Sequence, residues 1–327
     1  MGVRWPGWTR APATLPRLAL ASVIVNVVIV VTGGAVRLTG SGLGCPTWPS
    51  CTDGSLTPTK SYALHGIIEF TNRQLTFVLS VVVLATLVAA LLVRRERALA
   101  VLLATSIPAQ AVLGGITVLT KLNPWSVAAH FMLSIAIIAV AFALWWRVRP
   151  APVPAGESVA PAALRGAGWV MLAITAAVLA VGTVVNGSGP HAGASADSGA
   201  THRIQLAPAS VAQLHADLVM LLIGVSLGFV LLARATGASG ELQRAGYRLL
   251  GVELGQGVIG FVQYFTHVPA LLVGLHMVGA CLVWLAALLV LARLGAGVFR
   301  PASAAVATPG PVDSAQAAEA HGIALIQ

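Results

Sequence analysis

Eight apolar stretches dominate this 327-residue chain, falling at roughly 18–36, 66–93, 98–119, 126–146, 164–185, 208–233, 243–265 and 269–292. An α-helix needs about 20 such residues to cross a lipid bilayer. The pattern predicts an all-α integral membrane protein of eight transmembrane helices. Only 9% of the residues are charged, against about 25% in a soluble domain, as expected of a surface that meets lipid. The first stretch follows a Pro-rich basic segment and has no small-residue cleavage site behind it. It is read as an anchor helix, not a removed signal.

A net charge of +9 could point to nucleic acid, but its distribution points to topology. With eight spans, Arg4, Arg10, Arg17, Arg94, Arg95, Arg97, Arg147, Arg149, Arg165, Arg234, Arg244, Arg248, Arg293 and Arg300 all fall on one side. The other side keeps only Arg37, Lys60, Lys121 and Arg203, and Arg73 lies inside a span. The positive-inside rule then places both termini in the cytoplasm of a plasma-membrane protein. Membrane lipid is the predicted surrounding, with no nucleic-acid partner.

Residues 150–162 (PAPVPAGESVAPA) divide the spans four and four. The resulting plan is a tail over 1–16, a bundle over 17–149, a linker over 150–163, a bundle over 164–294 and a low-complexity tail over 295–327. An internal repeat supports this division. QAVLGGITVLT (Gln110 to Thr120) matches QGVIGFVQYFT (Gln256 to Thr266) at an offset of 146, which also carries His130 onto His276. Thr39-Gly40-Ser41-Gly42 matches Asn186-Gly187-Ser188-Gly189 at an offset of 147. An even number of spans per half gives both halves the same orientation. The expected fold is two pseudo-symmetric four-helix bundles in parallel repeat.

Polar residues inside spans are costly and mark function. Spans two, four, six and eight enter from the external face, and Asn72, His130, His215 and His276 lie a few residues inside those entries. At 1.5 Å per residue they share a level about 10 Å deep. Two neutral imidazoles on facing helices are what a six-coordinate haem iron needs, so His215 and His276 are read as an axial pair. The partner of His130 should come from span two, where His65, Glu69 and Asn72 lie on one helix face at i, i+4, i+7. An offset near 146 sets Glu69 opposite His215, and the repeat does not choose between His65 and Asn72. Glu69 either pairs with Arg73 or Arg37, or handles protons or positive charge. Arg37 and Arg73 either bind haem propionates or snorkel to the interface. Asp217 and Glu253 are read as helix-to-helix contacts. Cys45 and Cys51, in an external loop rich in Gly and Pro, are read as a disulfide, with a metal pair as the competing reading; Cys281 is read as a buried apolar residue.

These residues resemble the haem A synthase family, in a variant with Glu-x-x-Asn in the second span. The likeness rests on TGGAVRLTGSGLGCPTWP at the first-span end, Cys45 and Cys51, IEFTNR in span two, AAHF in span four, and the His215 and His276 spans. The resemblance implies a haem b cofactor between His215 and His276. It also implies a first-half site for the substrate haem O, served by His130 and Glu69, with His65, Asn72, Arg73 and Arg37 around it. Family members oxidise the C8 methyl of haem O to a formyl group, giving haem A for cytochrome c oxidase. Haem O synthase and oxidase assembly factors are the implied partners. The family's second-span pattern is Glu-x-x-His, whereas this chain reads Glu69-Phe-Thr-Asn72. The competing classes are a membrane b-type cytochrome passing electrons from quinol and a haem transporter.

Overall fold

The computed structural model describes residues 13–58, 63–150, 160–191, 193 and 202–299. Eight α-helices carry nearly all of them: α1 (Thr14–Leu38), α2 (Ala63–Val93), α3 (Arg97–Leu119), α4 (Pro124–Val148), α5 (Ala162–Ser188), α6 (Pro208–Ala235), α7 (Gly240–Phe265) and α8 (Ala270–Arg293). The described residues form no β-strand beyond an isolated bridge between Thr52 and Ser55. Helix starts follow local chemistry. Pro124 opens α4 behind Asn123, whose side chain accepts from the Trp125 amide, and Ser239 caps α7 through the Leu242 amide.

Seven helices are long and apolar enough to cross a membrane. The exception is α7, where Glu241, Arg244, Arg248, Glu253 and three glutamines dilute the apolar residues. Its 26 residues still reach about 39 Å at 1.5 Å per residue, and it packs between α6 and α8. It therefore spans by length and packing, not by apolarity. The chain is a multi-pass membrane protein.

Most of the two expected tails and of the linker lies outside the described residues. Within reach, two boundaries move. Helix α1 begins at Thr14, inside the stretch assigned to the first tail. Phe299, assigned to the second tail, is buried and packs edge-on against Phe142, with ring centroids 6.0 Å apart.

Each half closes into a ring. Sequence neighbours pack in order, α1 closes against α4, and α5 closes against α8. The two rings meet through α4 and α8, with α1 also touching α8 and α4 touching α5. Helices in lipid gain little from burying apolar side chains, so close contacts and polar bonds set the packing. Met277 of α8 fills the space over Gly34 of α1, where no Cβ fits. Trp284 of α8 donates its indole N–H to the Ile135 carbonyl of α4 at 2.9 Å. At the disulfide-loop face, the Arg37 guanidinium donates to the Asn186 carbonyl at 3.1 Å, and the Gly42 amide to the Gly193 carbonyl at 2.8 Å. At the opposite face, the Arg293 guanidinium at the end of α8 lies over Trp146 of α4, 5.3 Å from the ring centroid.

Trp284→Phe keeps most of the ring and removes the indole bond between the halves. It is expected to cost about 1 kcal/mol, lowering the thermal midpoint in detergent by a few degrees. Trp125→Phe, at a position 59% exposed, should leave that midpoint unchanged.

Candidate functional site

His130, His215 and His276 are the seventh, eighth and seventh residues of α4, α6 and α8, and Asn72 is the tenth of α2. All four thus lie about 9–14 Å below the helix starts at the disulfide-loop face. Each of them packs beside a glycine on the preceding helix. A Cβ built on Gly114 of α3 would stand 3.0 Å from His130 Cε1, and one on Gly182 of α5 would stand 3.2 Å from His215 Cε1. One on Gly260 of α7 would stand 3.4 Å from His276 Cε1, and one on Gly33 of α1 would stand 3.9 Å from Asn72 Nδ2. A glycine here lets a side chain enter the bundle against bare backbone.

Two histidines are also fixed from behind. Gln110 Nε2 donates to the His130 carbonyl at 2.9 Å, and Gln256 Nε2 to the His276 carbonyl at 2.8 Å. Each glutamine precedes its cradle glycine by four residues, so one face of α3 or α7 supplies both contacts. The 146-residue offset is therefore the trace of a repeated physical contact. Details differ between the halves. Gln110 also donates to Ser134 Oγ at 2.6 Å, and that hydroxyl donates to the His130 carbonyl at 3.0 Å. Beside Gln256 stands Gly279, where a Cβ would collide with the carboxamide.

The second half brings two imidazoles together. The rings of His215 and His276 face each other with centroids 6.4 Å apart and planes at 66°. A metal–imidazole bond measures about 2 Å and a ring nitrogen lies about 1 Å from its centroid, so two imidazoles flanking one metal hold centroids about 6 Å apart. The spacing fits a metal between the rings. The Nδ1 atoms of His276 and His130 are buried without a hydrogen-bond partner, a costly state unless something binds the ring.

The first half is built differently. Glu69 is only 5% exposed. Its Oε1 pairs with Arg73 Nη2 at 2.6 Å, and its Oε2 accepts from the Cys45 amide at 2.7 Å. Arg73 also donates to the carbonyls of Cys45 (2.8 Å), Thr47 (3.1 Å) and Ser50 (3.2 Å). Cys45 and Cys51 are joined as a disulfide. The ion pair thus grips the disulfide loop and seats it over the first ring. Trp48 of that loop lies on Gly115 of α3, where a Cβ would be 2.5 Å from the indole. Gly114 and Gly115 therefore receive a histidine from below and a tryptophan from above.

Of the other expected site residues, His65 is exposed, with Nδ1 2.9 Å from Ser41 Oγ at the end of α1. Arg37 reaches the second half through Asn186 and keeps Nε buried without a partner. Asp217 is exposed and accepts from Gln213 at 2.7 Å. Glu253 is buried and accepts from Ser226 Oγ at 2.8 Å, a contact between α7 and α6 as expected. The sequence reading missed the cradle glycines and Trp48; the shared Gln-x-x-x-Gly spacing in α3 and α7 carried the signal for two of them.

The comparisons with known proteins agree with this architecture. The family model COX15-CtaA, described as cytochrome oxidase assembly protein, matches residues 16–288. A protein named heme A synthase from Geobacillus kaustophilus is 30% identical over 156 residues, covering 43% of this chain and 47% of that protein. A heme A synthase from Shewanella oneidensis is 27% identical over 163 residues, covering 44% and 49%. One from Listeria welshimeri is 33% identical over 122 residues, covering 36% and 40%. The chain spans about half the length, or less, of these curated relatives. The family match takes in all eight helices except the ends of α1 and α8, and the chain belongs to the cytochrome oxidase assembly protein family.

Proposed function

We propose that this chain is a haem A synthase, a membrane oxidoreductase that converts the C8 methyl of haem O to a formyl group for cytochrome c oxidase biogenesis. The observation that carries the reading is the contrast between the halves. One holds two imidazoles at metal-bridging distance; the other holds a single histidine at that level, His130, and a buried acid, Glu69, bound to Arg73 and the Cys45 amide. Relatives named heme A synthase support the same reaction.

His215 and His276 would hold a haem b iron. Bound haem b supplies the one-electron chemistry that side chains lack. Gln256 fixes the His276 backbone, and Gly182 and Gly260 let both rings approach. The second four-helix bundle is in this reading the cofactor domain and the first the substrate domain. There His130, held by Gln110 and Ser134, binds the iron of haem O. Glu69, one turn nearer the disulfide-loop face than Asn72, faces positive charge or a departing proton at the reacting edge. Arg73 keeps the carboxyl in place and has its own donors committed to the loop. Arg37, with an unpartnered Nε, is the better placed of the two to meet a propionate.

The disulfide-loop face lies outside the cytoplasm, and both termini lie inside the plasma membrane's cytoplasmic face. Haem O synthase, which makes the substrate, and oxidase assembly factors, which take the product, are the partners that fit. A b-type cytochrome would be expected to keep two histidines per haem, whereas α2 carries Asn72 at the level of His130. A transporter would need the halves to slide, and Trp284 and Arg37 tie them together.

Co-expression with a haem O source, followed by pigment extraction and mass spectrometry, should yield haem A. Glu69→Gln keeps an acceptor for the Cys45 amide but removes the charge; it should abolish haem A while haem b is retained. Wild-type protein that carries only unmodified haem b would sink the reading. In a second measurement, His276→Met should shift or abolish the low-spin haem b spectrum. An unchanged spectrum would show that His215 and His276 are not the axial pair.

A further inference from the structure

The duplication leaves one irregular position at the level of the histidines. Three of the four cradle glycines face an imidazole; the fourth, Gly33, faces the carboxamide of Asn72. This pairing bears on a question that the repeat offset leaves open. Asn72 lies in contact distance of Gly33 of α1, and His215 packs more closely on Gly182 of α5; both sit at a similar depth on the second helix of their ring. Glu69 is bound to Arg73 and the Cys45 amide. His65 lies seven residues nearer the disulfide-loop face, about 10 Å along the helix, and is engaged with Ser41.

We propose that Asn72 fills the slot of an absent axial ligand, so that the first ring holds a haem iron through His130 alone and exchanges it, while the second ring retains its haem through two histidines. This rests on the haem reading above. A neutral carboxamide oxygen is a much weaker donor to haem iron than an imidazole nitrogen. The asparagine side chain is also shorter than histidine and stands further from its glycine than any of the three imidazoles do. Its Oδ1 is buried with no hydrogen-bond partner, which leaves an acceptor aimed at neither protein backbone nor side chain. The single ligand that remains is the more firmly seated one. His130 has both Gln110 and Ser134 on its carbonyl, whereas His276 has Gln256 alone. A substrate must enter and a product must leave, and one axial bond in place of two serves that need. Differences in holding strength between related sites are expressed mainly in the rate of release.

The test uses the purified full-length chain loaded with haem in both rings. Electron paramagnetic resonance of the ferric protein should show two populations, one low-spin and one high-spin. On mixing with excess apomyoglobin, the high-spin population should transfer at least about tenfold faster than the other. Asn72→His should convert the high-spin population to a second low-spin one and slow its transfer to the rate of the first. Asn72→Ala should leave spin state and fast transfer as in wild type, and so should His65→Ala. Persistence of the His215/His276 low-spin signal in each variant shows that the fold is intact. Two low-spin haems released at one slow rate in the wild type would overturn the inference. So would a loss of low-spin signal on Asn72→Ala or His65→Ala, which would make that residue a ligand. Wild-type protein that binds no haem at all would instead overturn the haem reading on which this one rests.

Discussion

The polar side chains at this level pack against helix backbone that carries no Cβ, and the site depends on that packing. A Cβ on Gly114 or Gly182 would crowd a histidine, while Gly260 and Gly33 stand at contact distance from His276 and Asn72. A glycine inside a helix costs about 1 kcal/mol relative to alanine, so one on each odd-numbered helix lowers helix stability. What this yields is position: the imidazoles are set by backbone packing, two of them with a glutamine amide on their own carbonyl.

The same frame serves two different sites because the variation lies in what surrounds it. The second ring keeps the plain arrangement of two imidazoles, with Gln256 seated against Gly279. The first ring exchanges one imidazole for Asn72 and adds Glu69, Arg73 and the disulfide loop above them. Elsewhere the second ring carries a buried carboxyl, Glu253 with Ser226. The repeat offset of 146 puts Ile107 at the corresponding place in the first ring, and it too is buried. Symmetry is therefore kept in the cradle and broken in the chemistry.

Much of this was legible in the sequence. All eight helices were legible as apolar stretches, although α7 is the least apolar of them and the structure shows it diluted by four charged residues and three glutamines. The Gln110/His130 and Gln256/His276 pairs were visible as a constant spacing, although the amide-to-carbonyl bond behind it was not. The sequence left His65, Glu69 and Asn72 equivalent, because all three share one helix face and their surroundings are tertiary contacts: Ser41 for His65, Arg73 and the Cys45 amide for Glu69, Gly33 for Asn72. Glu69 showed the same limit from the other side. Arg73 could be named as its partner from i, i+4 spacing, but the Cys45 amide comes from a loop 24 residues earlier, and no periodicity encodes such a meeting. Phe299 was assigned to a tail on composition, and a single aromatic contact across to Phe142 decided otherwise.

The disulfide loop is fastened to α2 and α3 by contacts that do not involve sulfur. Glu69 holds its Cys45 amide, Arg73 holds three of its carbonyls, and Trp48 is wedged on Gly115. Opening the Cys45–Cys51 bond would leave all of these in place. Thiol chemistry in this loop is thus mechanically uncoupled from its shape: the two cysteines can gain or lose electrons while the roof over the first ring stays closed.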